Sequence, residues 1–339
     1  MKEEIAWAFS PIVAVPARNE SRRLPALLKA LSCQDWLRTA RRRLPVVLVL
    51  NNCTDDSRQV VAEAAQGHAD LKITVIDVVF VEGDAHVGSA RRLAMETASA
   101  LCEEAERAVI LTTDADARPD RSWISANLRH IAAGIDLVGG RLVGDAAEEA
   151  LLGPAFIERA HLHQTYMTLA DRLASLVDPI EHDPWPHHHD HTGGSLAVRA
   201  DVYRAVGGLP ATSCREDLAF VSRVRQAGHR LCHPLDVVVH VSARLNGRAP
   251  GGMADCLMGW MRDAETGVPL IVEDPARILA RLRRRRRFRM QTVDPALAVS
   301  LVEQWAPDEP DAPASCPVEI AIARISTMIA EVTEGVRAA

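Results

Sequence analysis

The stretch AVILTTDADARPDRSW, residues 108–123, decides how this chain is read. Its first half is apolar or β-favouring and runs straight into Asp114 and Asp116, after which Pro119 marks a turn. Side chains alternate along a strand, so aspartates two residues apart point to one side of the backbone. Two carboxylates held that close repel each other unless a cation lies between them or one takes up a proton. An oxygen-only pair of this kind suits magnesium or manganese. The same residues also suit a plain strand-to-helix turn before a helix beginning near Ser122.

The chain upstream repeats one pattern. Pro11–Pro16 reads as a short apolar strand, and Leu24, Leu27, Leu28 and Leu31 then fall at helical spacing. Val46–Leu50 is a second strand, NNCTDDS a polar turn and Arg58–Gln66 a helix. A third strand begins at Lys72, and a third helix is expected over Ser89–Glu106, with Leu93, Ala94, Ala98 and Leu101 facing inward. Consecutive strand–helix units with near-continuous apolar strands predict an α/β fold whose parallel sheet is covered by helices on both faces. Ligands bind such sheets outside the carboxyl ends of the strands. That rule gathers Ala17–Glu20, Asn51–Asp56, Gly83–Arg91 and Asp114–Asp116 on one rim. No GxGxxG or GxxxxGKS loop follows the first strand, which argues against a dinucleotide dehydrogenase and against a P-loop enzyme.

Downstream, the pattern predicts a helix over Ser122–Ala133, a short strand in DLVGGRLV, and a long amphipathic helical stretch interrupted at Gly153-Pro154. Asp178–His191 is rich in proline and histidine and reads as an irregular loop placed to close over the pocket. A strand and helix follow, with Gly193 and Gly194 allowing close backbone approach to a ligand. A further helix carries Glu216 and Asp217 in its first turn, and a last strand runs through His240. Beyond about Asn246 the sheet pattern ends, leaving helices joined by acidic, proline-containing linkers such as APDEPDAPAS, residues 306–315.

With 339 residues, 48% of them hydrophobic, the chain can bury a full core. No run approaches the roughly 18 apolar residues that span a membrane, and the first residues lack a signal-like apolar block, so a cytoplasmic protein is expected. The seven cysteines are scattered without a CxxC pair, which suits reduced thiols rather than a disulfide framework or zinc site. The net charge of −6 gives no general drive toward nucleic acid, and none is expected as a partner. The run Arg283–Arg287 is the local exception, readable as a peripheral contact with an anionic membrane or as a solvated helix face. The HHHDH cluster at 187–191 has neither HExxH nor finger spacing.

The segments VPARNE (Val15–Glu20), NNCTDDS (Asn51–Ser57), TDADARPDRSW (Thr113–Trp123) and HTGGSLAVRADVYRAVGG, with the later pair Glu216-Asp217, stand in an order that resembles the family 2 glycosyltransferases of the GT-A fold. The resemblance covers about Pro11–Ala243. It implies a GT-A-like, mostly parallel sheet flanked by helices, with a catalytic domain over 1–245 and a helical C-terminal extension over 246–339. It further implies a metal-dependent hexosyltransferase that moves sugar from a nucleotide-diphosphate sugar donor to a hydroxyl acceptor; with no membrane-spanning run in the sequence, that acceptor is expected to be a small soluble molecule or a nascent glycan. On this resemblance Pro16, Ala17, Glu20, Asn51 and Asn52 contact the nucleotide, and Gly88, Arg91, Asp114, Gly193 and Gly194 line the donor site. Asp114 and Asp116 hold Mg2+ or Mn2+. His240 is either a third metal ligand, as in some retaining relatives, or an ordinary strand residue. Asp217 corresponds to the general base of inverting members, with Glu216 as its neighbour. The family's usual aspartate pair is replaced here by Asn51-Asn52, which leaves the base open because an amide both donates and accepts. Two rival readings stand beside this one. A nucleotidyltransferase should show a glycine- and lysine/arginine-rich loop after the first strand, which VPARNE lacks; a non-catalytic nucleotide-sugar-binding module should bind without turnover.

Overall fold

The computed structural model describes residues 8–247, 251–291 and 314–338. Most of the acidic linker expected at 306–315 therefore lies outside the described residues. The chain begins with strand β1 (Ser10–Ala17), helices α1 (Leu24–Ser32) and α2 (Trp36–Ala40), β2 (Leu44–Asn51), α3 (Ser57–Gly67), β3 (Leu71–Val78), α4 (Val87–Ala100) and β4 (Ala108–Thr112). It continues through β5 (Arg118–Pro119), α5 (Trp123–Ala132), β6 (Leu137–Gly139), β7 (Arg141–Gly144), α6 (Ala146–Ala150) and α7 (Pro154–Val177). Then come β8 (Leu196–Arg199), α8 (Ala200–Ala205), α9 (Glu216–Gln226), β9 (Leu231–Cys232) and β10 (Val238–Val241). The last elements are α10 (Met253–Glu265), β11 (Ile271–Glu273), α11 (Pro275–Gln291), β12 (Ser315–Pro317) and α12 (Val318–Ala338).

Seven strands form the main sheet in the order β3-β2-β1-β4-β8-β6-β9. All are mutually parallel except β8, which runs antiparallel to both β4 and β6. This is the mostly parallel, helix-flanked α/β sheet that the apolar strand runs predict. Period-two alternation feeds both faces: Val13 and Val15 pack with α1 and α5, whereas Ile12 and Ala14 pack with α4 and α9. The chain order turns at β1, which has β2 on one side and β4 on the other, and a crevice opens between strand ends where an order reverses in this way.

Several expected boundaries shift for identifiable reasons. Helix α4 stops at Ala100 rather than Glu106, and Arg204 donates to the carbonyls of Ser99 and Cys102 at its end. The single strand expected in DLVGGRLV is two, β6 in the main sheet and β7 in a three-stranded sheet with β10 and β5. The break falls at Gly140, whose N–H donates to the Ser195 carbonyl at 2.9 Å. A Cβ there would lie 2.0 Å from Ser195 Oγ, so only glycine permits the approach. Strand structure also continues past Asn246, where β11 and β12 pair antiparallel.

The described residues form two compact units that interleave along the chain. One comprises Met1–Asp145, His189–Ser242 and Asn246–Gly252; the other comprises Ala146–His188, Ala243–Leu245 and Met253–Ala339. Segment 146–188 groups with the C-terminal helices. Its α7 supplies Tyr166, Leu173 and Val177 to an apolar cluster completed by Ile278, Leu282, Val318 and Ile325. Among the described residues no helix is long and apolar enough to cross a membrane.

Substituting Gly140→Ala forces this overpacked contact apart and is expected to destabilise the protein by about 1–3 kcal/mol. Urea unfolding monitored by circular dichroism measures it. A loss below about 0.5 kcal/mol, the level of an indifferent surface change, would show that the approach at Ser195 is not demanded by the fold.

Candidate active site

The site grows from the strand ends at the β1/β4 crevice. Strand β4 ends at Thr112, and Asp114 to Ala117 form a turn closed by the Ala117 N–H donating to the Asp114 carbonyl at 3.2 Å. The two aspartates thus lie on a turn beyond the strand rather than on the strand itself. Alternation persists all the same: Ala115 and Ala117 are buried, while Asp114 and Asp116 are half-buried. Gln34, itself buried, braces the chain that follows by donating to the Asp120 carbonyl and accepting from the Ile124 N–H.

Because β8 is antiparallel, its first residues meet the last residues of β4, with Thr112 opposite Leu196. That register delivers Gly193 and Gly194 beside the aspartates. Thr113 Oγ1 donates to the Gly194 carbonyl at 2.8 Å, and Trp123 Nε1 donates to Ser195 Oγ at 2.9 Å.

Arg91, on the first turns of α4, joins these pieces. It is 3% exposed. Its guanidinium donates to Asp114 Oδ1 at 2.7 Å, Glu216 Oε1 at 3.0 Å, Thr112 Oγ1 at 3.1 Å and the Gly193 carbonyl at 2.7 Å. Burial alone would push its pKa down, but Asp114 and Glu216 outweigh burial and hold it above the ordinary value. A Cβ at Gly193 would sit 2.4 Å from the Arg91 Cζ, so glycine is required where the loop crosses the guanidinium. Glu216 is buried as this arginine's partner. Asp217, the next residue, is half-buried, and its carboxylate accepts the Gly193 N–H and the Leu218 N–H, each at 2.7 Å. Five of the expected residues, Arg91, Asp114, Gly193, Glu216 and Asp217, are therefore linked by direct hydrogen bonds.

The other rim segments are tied to one another in ways the sequence did not indicate. Asn52 adopts a left-handed φ of 50°, and its amide both donates to the Phe80 carbonyl and accepts from the Phe80 N–H, each at 3.0 Å. It clamps the loop after β2 to the loop after β3. Asn51 is 1% exposed and donates to the His86 carbonyl at 3.1 Å, while its Oδ1 is buried without a hydrogen-bond partner among the described residues. Asp55 accepts from the Ser21 and Ser57 N–H groups; burial opposes ionisation, but the hydrogen bonds from Ser57 and Ser21 prevail and bring its pKa down to about 2. Buried Glu20 donates its N–H to Ser57 Oγ at 3.0 Å, while Pro16 and Ala17 end β1. Gly88 lies where a Cβ would meet the Thr212 carbonyl at 2.0 Å, so its role in the fold is close packing of two backbones. The clearest sequence signal for these ties is the serine and aspartate density of NNCTDDS, the composition of side-chain-to-backbone turns.

His240 stands on the strand that pairs with β5, directly after the aspartate turn. Its Nε2 lies 3.0 Å from Asp120 Oδ1, and on β10 it stands opposite Arg118. Among the described residues no group of three or more His, Cys, Asp or Glu side chains is arranged to hold a metal ion. Two carboxylates on an open turn still fit a divalent ion of the magnesium type, which is commonly bound by one or two protein carboxylates and completed by phosphate oxygens and water. The HHHDH residues are fastened individually: Asp190 accepts the Leu142 N–H at 3.3 Å, and His191 Nδ1 lies 3.1 Å from His233 Nε2. Burial, then the neighbouring His233, pushes the His191 pKa down to about 4.

Comparison with known proteins gives one family and several distant structures. The model described as glycosyl transferase family 2 matches residues 12–184. TarS 1–349 from S. aureus in complex with UDP is 16% identical with a TM-score of 0.49, covering 84% of this chain and 73% of that one. The mannosyltransferase PcManGT from Pyrobaculum calidifontis, in complex with GDP-Man and Mn2+, is 18% identical with a TM-score of 0.48, covering 95% and 84%. Glucosyl-3-phosphoglycerate synthase from Mycobacterium tuberculosis, in complex with phosphoglyceric acid, is 13% identical with a TM-score of 0.43, covering 80% and 86%. No curated protein sequence matches the chain.

Arg91→Met should destabilise the protein by about 3–5 kcal/mol, since it strands the Glu216 carboxylate without its cation. Pairing it with Glu216→Gln should recover part of that loss in a double-mutant cycle measured by urea unfolding. A single-variant loss below about 1 kcal/mol, in the range of an exposed ion pair, would show that the guanidinium is not what holds the site together. Stability should also fall with acid through His191. Its folded pKa is depressed, so its contribution is complete above the ordinary 6.5 and is lost as pH falls toward about 4. His191→Asn should flatten the melting temperature across that window, and an unchanged slope would remove His191 as the cause.

Proposed function

Since the chain belongs to glycosyl transferase family 2, matched over residues 12–184, and is a glycosyltransferase, we propose that it moves a sugar from a nucleotide-diphosphate sugar to a hydroxyl acceptor at the β1/β4 crevice. The observation that most supports this placement is the Arg91 assembly, which brings Asp114, the Gly193 loop and Asp217 to one rim. We assign the transfer chemistry to residues 1–245, with 246–339 outside it, and the acceptor to small soluble hydroxyl compounds.

In this reading the ends of β1 and β2, with Pro16, Ala17, Glu20 and Asn51, frame the base and ribose. Asn52, occupied by Phe80, and Gly88, packed on Thr212, shape the pocket indirectly. Gly193 and Gly194 bring backbone rather than side chain against the donor. Asp116 and the Asp114 oxygen not bonded to Arg91 would hold Mg2+ or Mn2+, with His240 the candidate third ligand. Such an ion supplies Lewis-acid neutralisation of the leaving diphosphate.

Asp217 does the proton work. The Gly193 and Leu218 N–H groups fix its plane. As general base it takes the acceptor hydroxyl proton while that oxygen bonds to the anomeric carbon. The bond from the same carbon to the diphosphate oxygen breaks, and the nucleoside diphosphate leaves with the electron pair. Glu216 touches neither reactant; its place is to neutralise and position Arg91.

Release of nucleoside diphosphate from UDP-, GDP- and ADP-sugars, with and without Mn2+, tests the reading. One donor should turn over with metal, and Asp217→Asn should lower kcat by about 10²- to 10⁴-fold while donor binding, followed by thermal shift, is kept. Full activity in Asp217→Asn would end the general-base assignment, and donor binding without turnover by the wild type would establish a non-catalytic binding module instead.

A further inference from the structure

The unit containing α7, α11 and α12 carries a second concave feature, and it does not depend on the transferase reading. A cavity of about 570 Å³ is lined by Val177 at the end of α7, by Arg283, Arg286, Arg287 and Met290 of α11, and by Val332 of α12. Its size falls within the about 300–1,000 Å³ typical of ligand pockets. The positions 283, 286, 287 and 290 follow i, i+3, i+4, i+7 spacing, so one face of α11 presents all four.

The arginine run is thereby sorted into two jobs. Arg285 and Arg289 turn to the fully buried carboxylate of Asp178, which anchors α11 to the end of α7. Arg286 donates to the Val177 carbonyl at 3.1 Å, a favourable place for a cation at a helix C-terminus. Arg283 and Arg287 are exposed on the cavity side and have no ion-pair partner among the described residues. Positive charge thus converges on a cavity whose remaining wall is apolar except for Gln291, with Met290 76% exposed at its edge.

We propose that this cavity receives the phosphate headgroup of an anionic lipid presented by a membrane surface, the arginines on the phosphate and the aliphatic wall against the start of the acyl chain. A guanidinium cluster suits phosphate, and an apolar wall beside it suits an amphiphile better than a fully hydrated anion. Among the described residues no aromatic side chain lines the cavity, so these residues offer no stacking platform of the kind single-stranded nucleic acid needs. The contact is peripheral: basic groups meet the headgroups while Met290 enters the headgroup–acyl boundary.

Sedimentation of the full-length protein with phosphatidylcholine vesicles, and with vesicles that also contain phosphatidylglycerol, tests this. Binding is expected only to the second kind. Replacing Arg283, Arg286 and Arg287 together by Gln should weaken it on the order of 100-fold, at about fivefold per arginine near an anionic surface. Met290→Gln, which leaves charge unchanged, should weaken it about tenfold. The same three-charge change at exposed Arg38, Arg42 and Arg107 should leave binding nearly intact, and an unchanged melting curve for each variant excludes misfolding as the cause. Absence of binding to either vesicle overturns the proposal, as does equal loss from the control substitutions or indifference to Met290→Gln. Inorganic phosphate that raises the melting temperature of the wild type but not of the triple arginine variant would make this a soluble-anion site. Single-stranded RNA bound through the same arginines, without vesicle binding, would make it a nucleic-acid site. Either result rejects the lipid assignment.

Discussion

A guanidinium removed from water is tolerated only where carboxylates and carbonyls replace the lost hydration, and Arg91 meets that condition with four acceptors drawn from three separate parts of the chain. Thr112 and Asp114 come from the end of β4, Gly193 from the loop before β8, and Glu216 from the start of α9. None of these can shift without leaving a buried charge short of a partner. The arginine therefore sets the relative positions of Asp114 and, through the Gly193 loop, of Asp217. The electrostatics that hold the fold at this rim also fix the geometry of the candidate site.

The rest of the rim is rigid for a related reason. Each loop following a strand is tied to the next by side chains that mimic backbone: Asn52 to Phe80, Asp55 to Ser21 and Ser57, Asn51 to the His86 carbonyl. Left-handed residues at Asn19 and Asn52 let the chain reverse within these loops, a conformation asparagine tolerates better than most residues. These ties fix the loops at the strand ends relative to one another.

The second unit solves the same problem with the opposite sign. There the buried group is an anion, Asp178, and two arginines from α11 neutralise it. In doing so they account for only part of the arginine run, and the neighbours at helical spacing are turned toward the cavity instead. A cluster that reads in one dimension as a solvated face is divided in three dimensions between structural pairing and an open cationic surface.

Apolar runs separated by helical spacing were enough to determine a mostly parallel sheet covered on both faces, because strand burial and helix amphipathicity are local patterns. The ordered segments VPARNE, NNCTDDS and TDADARPDRSW likewise carried the family, and the strand-end rule gathered most of the rim. What the sequence could not determine was which side chains face each other across long separations. Only the tertiary structure joins Arg91 to Asp114 and Glu216, gives Asn52 to Phe80 and Gly88 to Thr212, and groups 146–188 with the C-terminal helices. It also supplies the antiparallel β8 that carries Gly193 to the aspartates. The physical reason is that these outcomes depend on strand register and on charge neutralisation in a shared buried volume. Neither quantity exists until distant parts of the chain have packed together.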